Sequence, residues 1–161
     1  MTVTVGETAT TGTAPALAPG HTGLNVTDLE RSLAFYRDVL GFAELGRGDE
    51  EGRRFAFLGQ GGALVLTLWE QAAGPFSPTA AGLHHLAWTA GSPAEVRVFE
   101  ERLRAYGAAF AHEGIVAHAE GAASGGIFFH DPDGTRLEIS VPAGAESAPA
   151  PSGAAPTCGF F

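Results

Sequence analysis

The chain contains the same order of local signals twice, and this internal repeat restricts the fold more than any other feature. Each copy begins with a short strand-like segment, near 20–26 and 84–90, and continues with a helical pattern, 28–40 and 93–106. Three further strand-like segments follow each helix: 42–47, 53–58 and 63–69 in the first copy, and 109–113, 126–130 and 135–141 in the second. A repeated order of elements indicates a duplicated unit. The sequence therefore predicts an α+β fold in which two tandem βαβββ modules form a curled eight-stranded mixed sheet, a cup, with the helices outside.

Both predicted helices have recognisable boundaries. Residues 27–30 (TDLE) and 92–95 (SPAE) have the spacing of a capping box, in which a hydroxyl and a carboxylate satisfy free amides at the helix start. Gly41 and Gly107 follow the last helical residues, where a left-handed cap costs least. We therefore expect the two helices to begin and end at equivalent places in the modules.

Composition divides the chain into modules and tails. We expect an N-terminal tail at 1–19, a first module at 20–70, a linker at 71–83, a second module at 84–141 and a C-terminal tail at 142–161. The last segment is rich in Ala, Pro and Gly, a composition that cannot build a packed core, and this predicts a solvated end. The alternative is that its terminal Phe-Phe pair docks on this chain or on a partner, because exposed apolar groups tend to find cover.

Charge and hydropathy exclude several classes of protein. The net charge is −9 and all nine basic residues are Arg, which argues against a nucleic-acid surface. No run of 18 apolar residues occurs, and residues 1–20 lack the basic and apolar regions of a secretory signal. The single cysteine, Cys158, excludes an internal disulfide and fits a reducing compartment. We expect a cytoplasmic protein that binds neither nucleic acid nor membranes.

Strand alternation assigns different faces to the two adjacent histidines at 84 and 85. Successive side chains of a strand point to opposite faces. His85 shares its face with small or polar residues, as His21 does in the first module, whereas the intervening positions are apolar and predict the face that packs on the helix. His21 and His85 are therefore equivalent. His84 is expected on the helix side or at the frayed start of the strand.

The last strand adds a carboxylate to this pair of histidines. Leu137 and the alternate residues after it are apolar and predict the packed face, which leaves Glu138 on the opposite, cavity face. A carboxylate in an apolar neighbourhood is costly unless a cation compensates it. A metal held by His21, His85 and Glu138 would do so, and two imidazoles with one carboxylate are typical of non-haem Fe(II). The alternative is that Glu138 pairs with an arginine, Arg136 or Arg54.

Three stretches together resemble the vicinal oxygen chelate superfamily, which includes glyoxalase I, extradiol dioxygenases, fosfomycin-resistance thiol transferases, methylmalonyl-CoA epimerase and bleomycin-resistance proteins. They are GHTGLNVTDLERSLAFYRDVLGF at 20–42, HHLAWTA at 84–90 and GGIFFHDPDGTRLEIS at 125–140. The resemblance implies paired βαβββ modules around a divalent metal, with ligands on the first and last strands. Carried over, these positions are His21, His85 and Glu138.

The fourth ligand position distinguishes the subfamilies. Aligning Phe57 with Phe129 and Gly62 with Gly134 places Leu66 opposite Glu138, where glyoxalase I and the epimerase have Glu or Gln. The resemblance therefore favours the three-ligand set of extradiol dioxygenases and fosfomycin enzymes. Bleomycin-resistance proteins lack the ligands.

The remaining residues of the predicted cup suggest what it binds. Leu64, Leu66 and Leu68 would form an apolar wall, and Arg136 could meet an anionic oxygen.

His118 lies near the place of a histidine that assists extradiol dioxygenases, and the resemblance gives it a catalytic role in proton transfer. The tyrosine that accompanies that histidine is replaced by Phe128 or Phe129, and the other nearby histidines, His112 and His130, are expected to be structural or solvated.

These observations predict a divalent-metal-dependent enzyme that acts on a small molecule with vicinal oxygens and an apolar part. Dioxygenase-like chemistry is slightly favoured over glyoxalase, isomerase or thiol-transferase chemistry, and Glu138 and His118 are the predicted catalytic residues. Fe2+ or Mn2+ is favoured as the metal, with Zn2+, Ni2+ and Co2+ possible. The alternative is a non-catalytic binding protein that sequesters a drug or metabolite. A homodimer is expected, with the modules paired either within one chain or across two copies.

Overall fold

The computed structural model describes residues 14–153 and 155–161 and contains the βαβββ order twice. The first module consists of β1 (Thr22–Val26), α1 (Leu29–Leu33), a π-helical continuation (Ala34–Val39), β2 (Ala43–Glu50), β3 (Arg53–Gln60) and β4 (Ala63–Glu70). The second consists of β5 (Leu86–Thr89), α2 (Pro93–Tyr106), β6 (Val116–Ala117), β7 (Gly125–His130) and β8 (Arg136–Val141). Residues 14–20 are exposed and have no regular structure, and the rest of the predicted N-terminal tail, 1–13, lies outside the described residues.

The strands form two four-stranded mixed sheets with the same topology. Their orders are β1-β4-β3-β2 and β5-β8-β7-β6, and in each sheet the first strand of the module runs parallel to the last. The predicted α+β class and the duplicated module are therefore confirmed. The eight strands make two separate sheets because no ladder of hydrogen bonds joins one to the other in the described part of the chain.

The start of the first helix differs from the predicted capping box. Asp28 is the N-cap, and its carboxylate accepts a hydrogen bond from the amide of Arg31. The Thr27 hydroxyl instead donates to Asp133 of the second module, and Glu30 pairs with Arg54. The box at 92–95 is close to expectation, since Ser92 accepts from the amide of Glu95 at 3.3 Å. Thr27, which the local spacing predicted as the helix cap, therefore forms a contact between the modules instead.

One strand of the second module is displaced from its predicted place. The segment 109–113 contributes only an isolated bridge from Phe110 to Phe129, and the sixth strand is formed by Val116 and Ala117. β6 is only two residues long and pairs with Gly125 and Gly126, while residues 109–111 hydrogen-bond to Phe128 and His130 farther along the same edge of β7. Both helices end as expected, with Gly41 at φ 82° and Gly107 at φ 87°.

One hydrophobic core joins the modules through the faces that the helices cover. Phe35 lies 6.4 Å from Phe129 between ring centroids, and Trp88 lies 5.3 Å from Phe42. Tyr36 is fully buried, and its hydroxyl donates to the Asp131 carboxylate at 2.7 Å. Because strand side chains alternate, the opposite faces of both sheets point away from this shared core.

The C-terminal segment packs against the second module, so the expectation of a solvated tail is wrong. The amide of Ala117 donates to the Pro149 carbonyl at 2.8 Å, and the Thr157 amide donates to the His118 carbonyl at 2.8 Å. The Thr157 side chain is fully buried. Backbone hydrogen bonds of this kind need no particular composition, which explains why an Ala/Pro/Gly-rich segment can cover a short edge strand.

No helix in the described ranges is both long enough and apolar enough to cross a membrane.

Candidate metal centre

Each sheet has an open face, opposite the shared core, with equivalent residues in the two modules. In the second sheet, Ala87 and Phe128 flank Glu138 in register. In the first sheet, Gly23 and Phe57 flank Thr67 in the same way. We call these sides the open faces of the first and second sheets. They place His85, just before β5, and His21, just before β1, at equivalent positions.

Glu138 lies at the centre of the second open face between two imidazoles. Its side chain is 4% exposed, its Oε1 atom lies 2.6 Å from His118 Nε2, and its Oε2 atom lies 3.7 Å from His85 Nε2. An ionised carboxylate can only accept, so His118 Nε2 donates to it, and His118 Nδ1 lies 2.9 Å from the Ser124 hydroxyl oxygen. Arg54 pairs with Glu70, which removes one of the arginine partners considered for Glu138. The bond between His118 and Ser124 was not predictable from a local pattern in the sequence.

His84 points to the same side as His85, contrary to the alternation argument. The Nδ1 atoms of the two rings are 2.9 Å apart, and Arg136 Nη1 lies 3.4 Å from His84 Nε2. The structure begins β5 at Leu86, so both histidines precede the strand and strand alternation does not apply to them. The contact with Arg136 and the contact between the two Nδ1 atoms together set the direction of the His84 ring.

The donor atoms of His85 and Glu138 fit a divalent cation. Burial lowers the pKa of His85, and the charges of His84, Arg136 and His118 lower it further against the opposing effect of Glu138. A neutral imidazole is the form that binds metals. The nearly buried Glu138 carboxylate is the compensating charge that a cation would meet.

A complete metal site is not present within one copy of the described chain. His21 lies on the first module, exposed, and no hydrogen bond or ion pair joins it to His85 or Glu138 among the described residues. Across residues 14–153 and 155–161, no group of three or more His, Cys, Asp or Glu side chains could hold a metal ion. The chain therefore brings together two of the three predicted ligands and adds His118, which binds Glu138 directly.

The residue equivalent to Glu138 in the first module is Thr67, not Leu66. The register of β3 and β4 shifts between Leu58 and Gly59, a bulge that moves the pairing by one residue. A one-residue shift reverses every face assignment after it. The conclusion that this position carries no carboxylate is unchanged, because Thr67 replaces Leu66.

The same shift overturns the predicted apolar wall. Leu66 and Leu68 are fully buried in the shared core and do not line the open face. The open face of the first sheet instead presents three half-buried rings, with Phe55 4.9 Å from Trp69 and 5.2 Å from Phe57 between centroids. The wall is therefore apolar, as expected, but it is aromatic.

The other histidines of the second module lie beside the C-terminal residues. His112 Nε2 lies 2.8 Å from the Phe160 carbonyl oxygen, and the ring of His130 lies 5.9 Å from that of Phe161. Phe128, one of the two residues considered in place of a catalytic tyrosine, is on the open face and contacts Phe161 at 5.4 Å. Phe129 belongs to the shared core.

A separate cleft of about 370 Å³ lies on the helix-covered side and is not part of this site. It is bounded by Phe42, Trp88 and Val98, among others. Trp88 and its neighbours project into the shared core, opposite Glu138. The cleft is lined by residues of both modules and therefore results from the packing of one module on the other.

Paired βαβββ modules that carry histidines before the first strands and a glutamate on the last strand define a protein of the vicinal oxygen chelate type. Residues 18–139 match the Glyoxalase/Bleomycin resistance protein/Dioxygenase superfamily, and the chain belongs to it. This superfamily contains metal-dependent glyoxalases, dioxygenases and fosfomycin-resistance proteins.

Individual relatives agree with this assignment. The chain is 30% identical over 122 residues to a catechol-2,3-dioxygenase of Bacillus subtilis strain 168, which covers 74% of this chain and 40% of that protein. The chain thus matches less than half the length of this curated relative. A glyoxylase/bleomycin resistance protein/dioxygenase domain from Frankia sp. EAN1pec has a TM-score of 0.69 at 30% identity, covering 79% of this chain and 98% of the other.

A third likeness concerns the fold alone. The fosfomycin resistance protein FosX of Listeria monocytogenes, solved with Mn(II) and sulfate, has a TM-score of 0.61 at 19% identity, covering 83% of this chain and 98% of the other. A divalent cation is therefore bound by a protein of this fold.

Proposed function

We propose that the protein is a divalent-metal-dependent enzyme of the glyoxalase/dioxygenase type that acts on a small molecule with vicinal oxygens and an apolar part. The observation that carries this proposal is the nearly buried Glu138 carboxylate, with a neutral imidazole on one side and a hydrogen-bonded imidazole on the other. His85 and Glu138 are the proposed ligands within one copy. The metal would supply Lewis acidity to two adjacent substrate oxygens.

We propose that His21 of a second copy completes the site. The modules of one chain share a core through their helix-covered faces, so the open faces of that chain point away from each other. In a dimer, the open face of the first sheet of one copy could pack against the open face of the second sheet of the other copy. This packing would bring His21 of one copy close to His85 and Glu138 of the other. It would also cover the half-buried rings of Phe55 and Trp69, a patch that isolated soluble proteins rarely leave open.

The protein's own side chains then have separate roles around the substrate. His118 holds Glu138 through its Nε2–H and is positioned by Ser124, which makes it the proposed proton-transfer group next to the site. His84 orients the His85 ring through the contact between their Nδ1 atoms. The aromatic wall accepts the apolar part of the substrate. Dioxygenase-like chemistry with Fe2+ or Mn2+ remains favoured over isomerase or transferase chemistry, and the 30% identity to a catechol-2,3-dioxygenase supports that order.

Metal binding tests the ligand set directly. Purified protein stripped of metal should bind Mn2+ stoichiometrically in equilibrium dialysis, and His21→Ala, His85→Ala and Glu138→Ala should each abolish it, because a lost ligand leaves two protein donors. His84→Ala should keep the stoichiometry and weaken affinity by about 10- to 100-fold, the usual effect of losing a group that orients a ligand. His118→Ala should retain the metal.

A mixing experiment decides whether ligands come from two copies. His21→Ala retains the His85–Glu138 pair, and Glu138→Ala retains His21. Unfolding and refolding the two variants together should restore part of the Mn2+ binding that each lacks alone. If the mixture stays unable to bind while His118→Ala loses the metal, the site lies within one chain and the proposed second copy is wrong.

A further inference from the structure

The last residues of the chain place an aromatic ring on the open face of the second sheet. Five side chains surround the ring of Phe161, at centroid distances of 5.4 to 6.5 Å for the rings and 5.5 Å for the guanidinium carbon: His84, His85, Phe128, His130 and Arg136. We call these five side chains the ring box. Three of them are immediate neighbours of Glu138: Phe128 pairs with it in register, Arg136 is two residues away on the same strand, and His85 faces its Oε2 atom.

The segment that delivers this ring is anchored by specific bonds. The Thr157 hydroxyl donates to the Ala117 carbonyl at 2.7 Å, and the Phe160 amide donates to the Thr157 carbonyl at 2.9 Å. His112 holds the Phe160 carbonyl. The side chain of Phe160 is 53% exposed, whereas the ring of Phe161 is turned into the box. The bonds of Thr157 and Phe160 therefore direct the ring of Phe161, and not that of Phe160, into the ring box.

The ring box has the chemistry to hold a planar π system. The Arg136 guanidinium lies over one face of the Phe161 ring, a favourable cation–π arrangement. The His85 ring lies 5.7 Å away at an interplanar angle of 33°, and Phe128 and His130 present edges at 75° and 77°. Offset and edge-to-face contacts of this kind are the preferred aromatic geometries.

We propose that residues 157–161 are an internal ligand of this site, and that Phe161 competes with small planar aromatic molecules for the ring box. The site is then open only in the fraction of molecules whose Phe161 has left. The proposal deepens the proposed function by naming what occupies the same site, but its contacts do not involve a metal. It can therefore be tested on metal-free protein.

The test uses 4-fluorophenol as the probe, with binding followed by 19F NMR in the absence of metal. An internal competitor reduces apparent affinity by the open fraction, so Phe161→Ala should tighten binding by about tenfold if the box is about 90% closed. Phe160→Ala is the matched control, since its backbone carbonyl still reaches His112, and it should bind as the unmodified protein does. Phe161→Tyr keeps the ring and should also leave the affinity unchanged.

The imidazole resonances identify where the probe binds. In Phe161→Ala, 4-fluorophenol should shift the ring signals of His85 and His130. Unchanged affinity in Phe161→Ala, equal tightening in Phe160→Ala, no binding to any variant, or binding without a shift at His85 would each overturn the proposal. Loss of the proposed function has a different signature, because a protein that never binds Mn2+ would still show the competition at the ring box.

Discussion

Replacing Tyr36 with phenylalanine tests the contact that fixes the two modules to each other. Tyr36 is fully buried, and its hydroxyl bridges from the first module to Asp131 of the second at 2.7 Å. The substitution removes one oxygen and leaves the ring, which packs edge-on against Phe35 at 5.1 Å and Trp88 at 6.5 Å. The measured change therefore reports the hydrogen bond and very little of the packing.

The expected loss of unfolding free energy follows from the partners that Asp131 retains. A hydrogen bond to a charged group contributes about 1.5–3 kcal/mol. Asp131 Oδ1 still accepts from the amides of Asp133 at 2.9 Å and Thr135 at 2.8 Å, so the carboxylate is not left bare. We therefore expect Tyr36→Phe to lose about 2 kcal/mol, which lowers the melting temperature by about 4–8 °C in a domain of this size.

The same variant has a predicted pH dependence. Burial raises the pKa of Asp131 above its ordinary 3.8, while the hydrogen bond from Tyr36 opposes that rise. Because the pKa of Asp131 is higher in the folded state than in the unfolded state, this group stabilises the fold fully below pH 3.8. That contribution is lost as the pH rises through the folded-state pKa. Removing the Tyr36 hydroxyl raises that pKa further, so the deficit of Tyr36→Phe should grow between about pH 3 and pH 7.

Urea unfolding followed by circular dichroism at both pH values provides the measurement. Asp131→Asn and the double variant complete a cycle that isolates the Tyr36–Asp131 coupling. A loss below about 0.5 kcal/mol at pH 7, the range of an ordinary surface substitution, would refute the assignment of this bond as a major link between the modules.

One substitution and one deletion test the second sheet. A Cβ added at Gly126 would collide with the Ile139 carbonyl oxygen, so Gly126→Ala should lose about 1–3 kcal/mol or more from overpacking. Gly46→Ala is the control, because nothing lies within 4 Å of its added Cβ, and it should stay within about 0.5 kcal/mol in the same urea assay. Deleting residues 156–161 removes the bond of the Thr157 amide to the His118 carbonyl and that of the Thr157 hydroxyl to the Ala117 carbonyl. Their loss should lower stability by about 2 kcal/mol, at about 1 kcal/mol per bond. Calorimetry checks this result, and an unchanged melting temperature in the deletion would contradict the observed docking.

Periodicity in the sequence was sufficient to predict the duplicated module. The helical patterns and the glycines after each helix are local signals, and Gly41 and Gly107 adopt the left-handed conformation where the sequence predicts it. The face of Glu138 was predictable for the same reason, because Leu137 and Ile139 on either side of it are buried in the core. A strand without irregularities transmits such a pattern faithfully.

Where the chain departs from a regular strand, the sequence alone misassigned side chains. Leu66 was placed on the open face because a regular strand was expected there, whereas the pairing of β3 with β4 contains a bulge between Leu58 and Gly59. One of the two expectations for His84 placed it away from His85 because the strand was predicted to begin at residue 84, whereas β5 begins at Leu86. The contact of His84 with Arg136, 52 residues away, decides its actual direction.

The site as a whole depends on contacts between segments that are distant in sequence. His118 reaches Glu138 across 20 residues, and Phe161 reaches His85 across the whole second module. Composition correctly indicated that the last segment could not form a core of its own. It could not indicate that this segment would hydrogen-bond to the backbone of Ala117 and His118 and bring Phe161 against Phe128. The sequence by itself determined which residues alternate toward each face of a regular strand, as in β8, because that depends on backbone geometry within the strand. The tertiary structure decided which residues meet, because that depends on where distant surfaces remain unsatisfied.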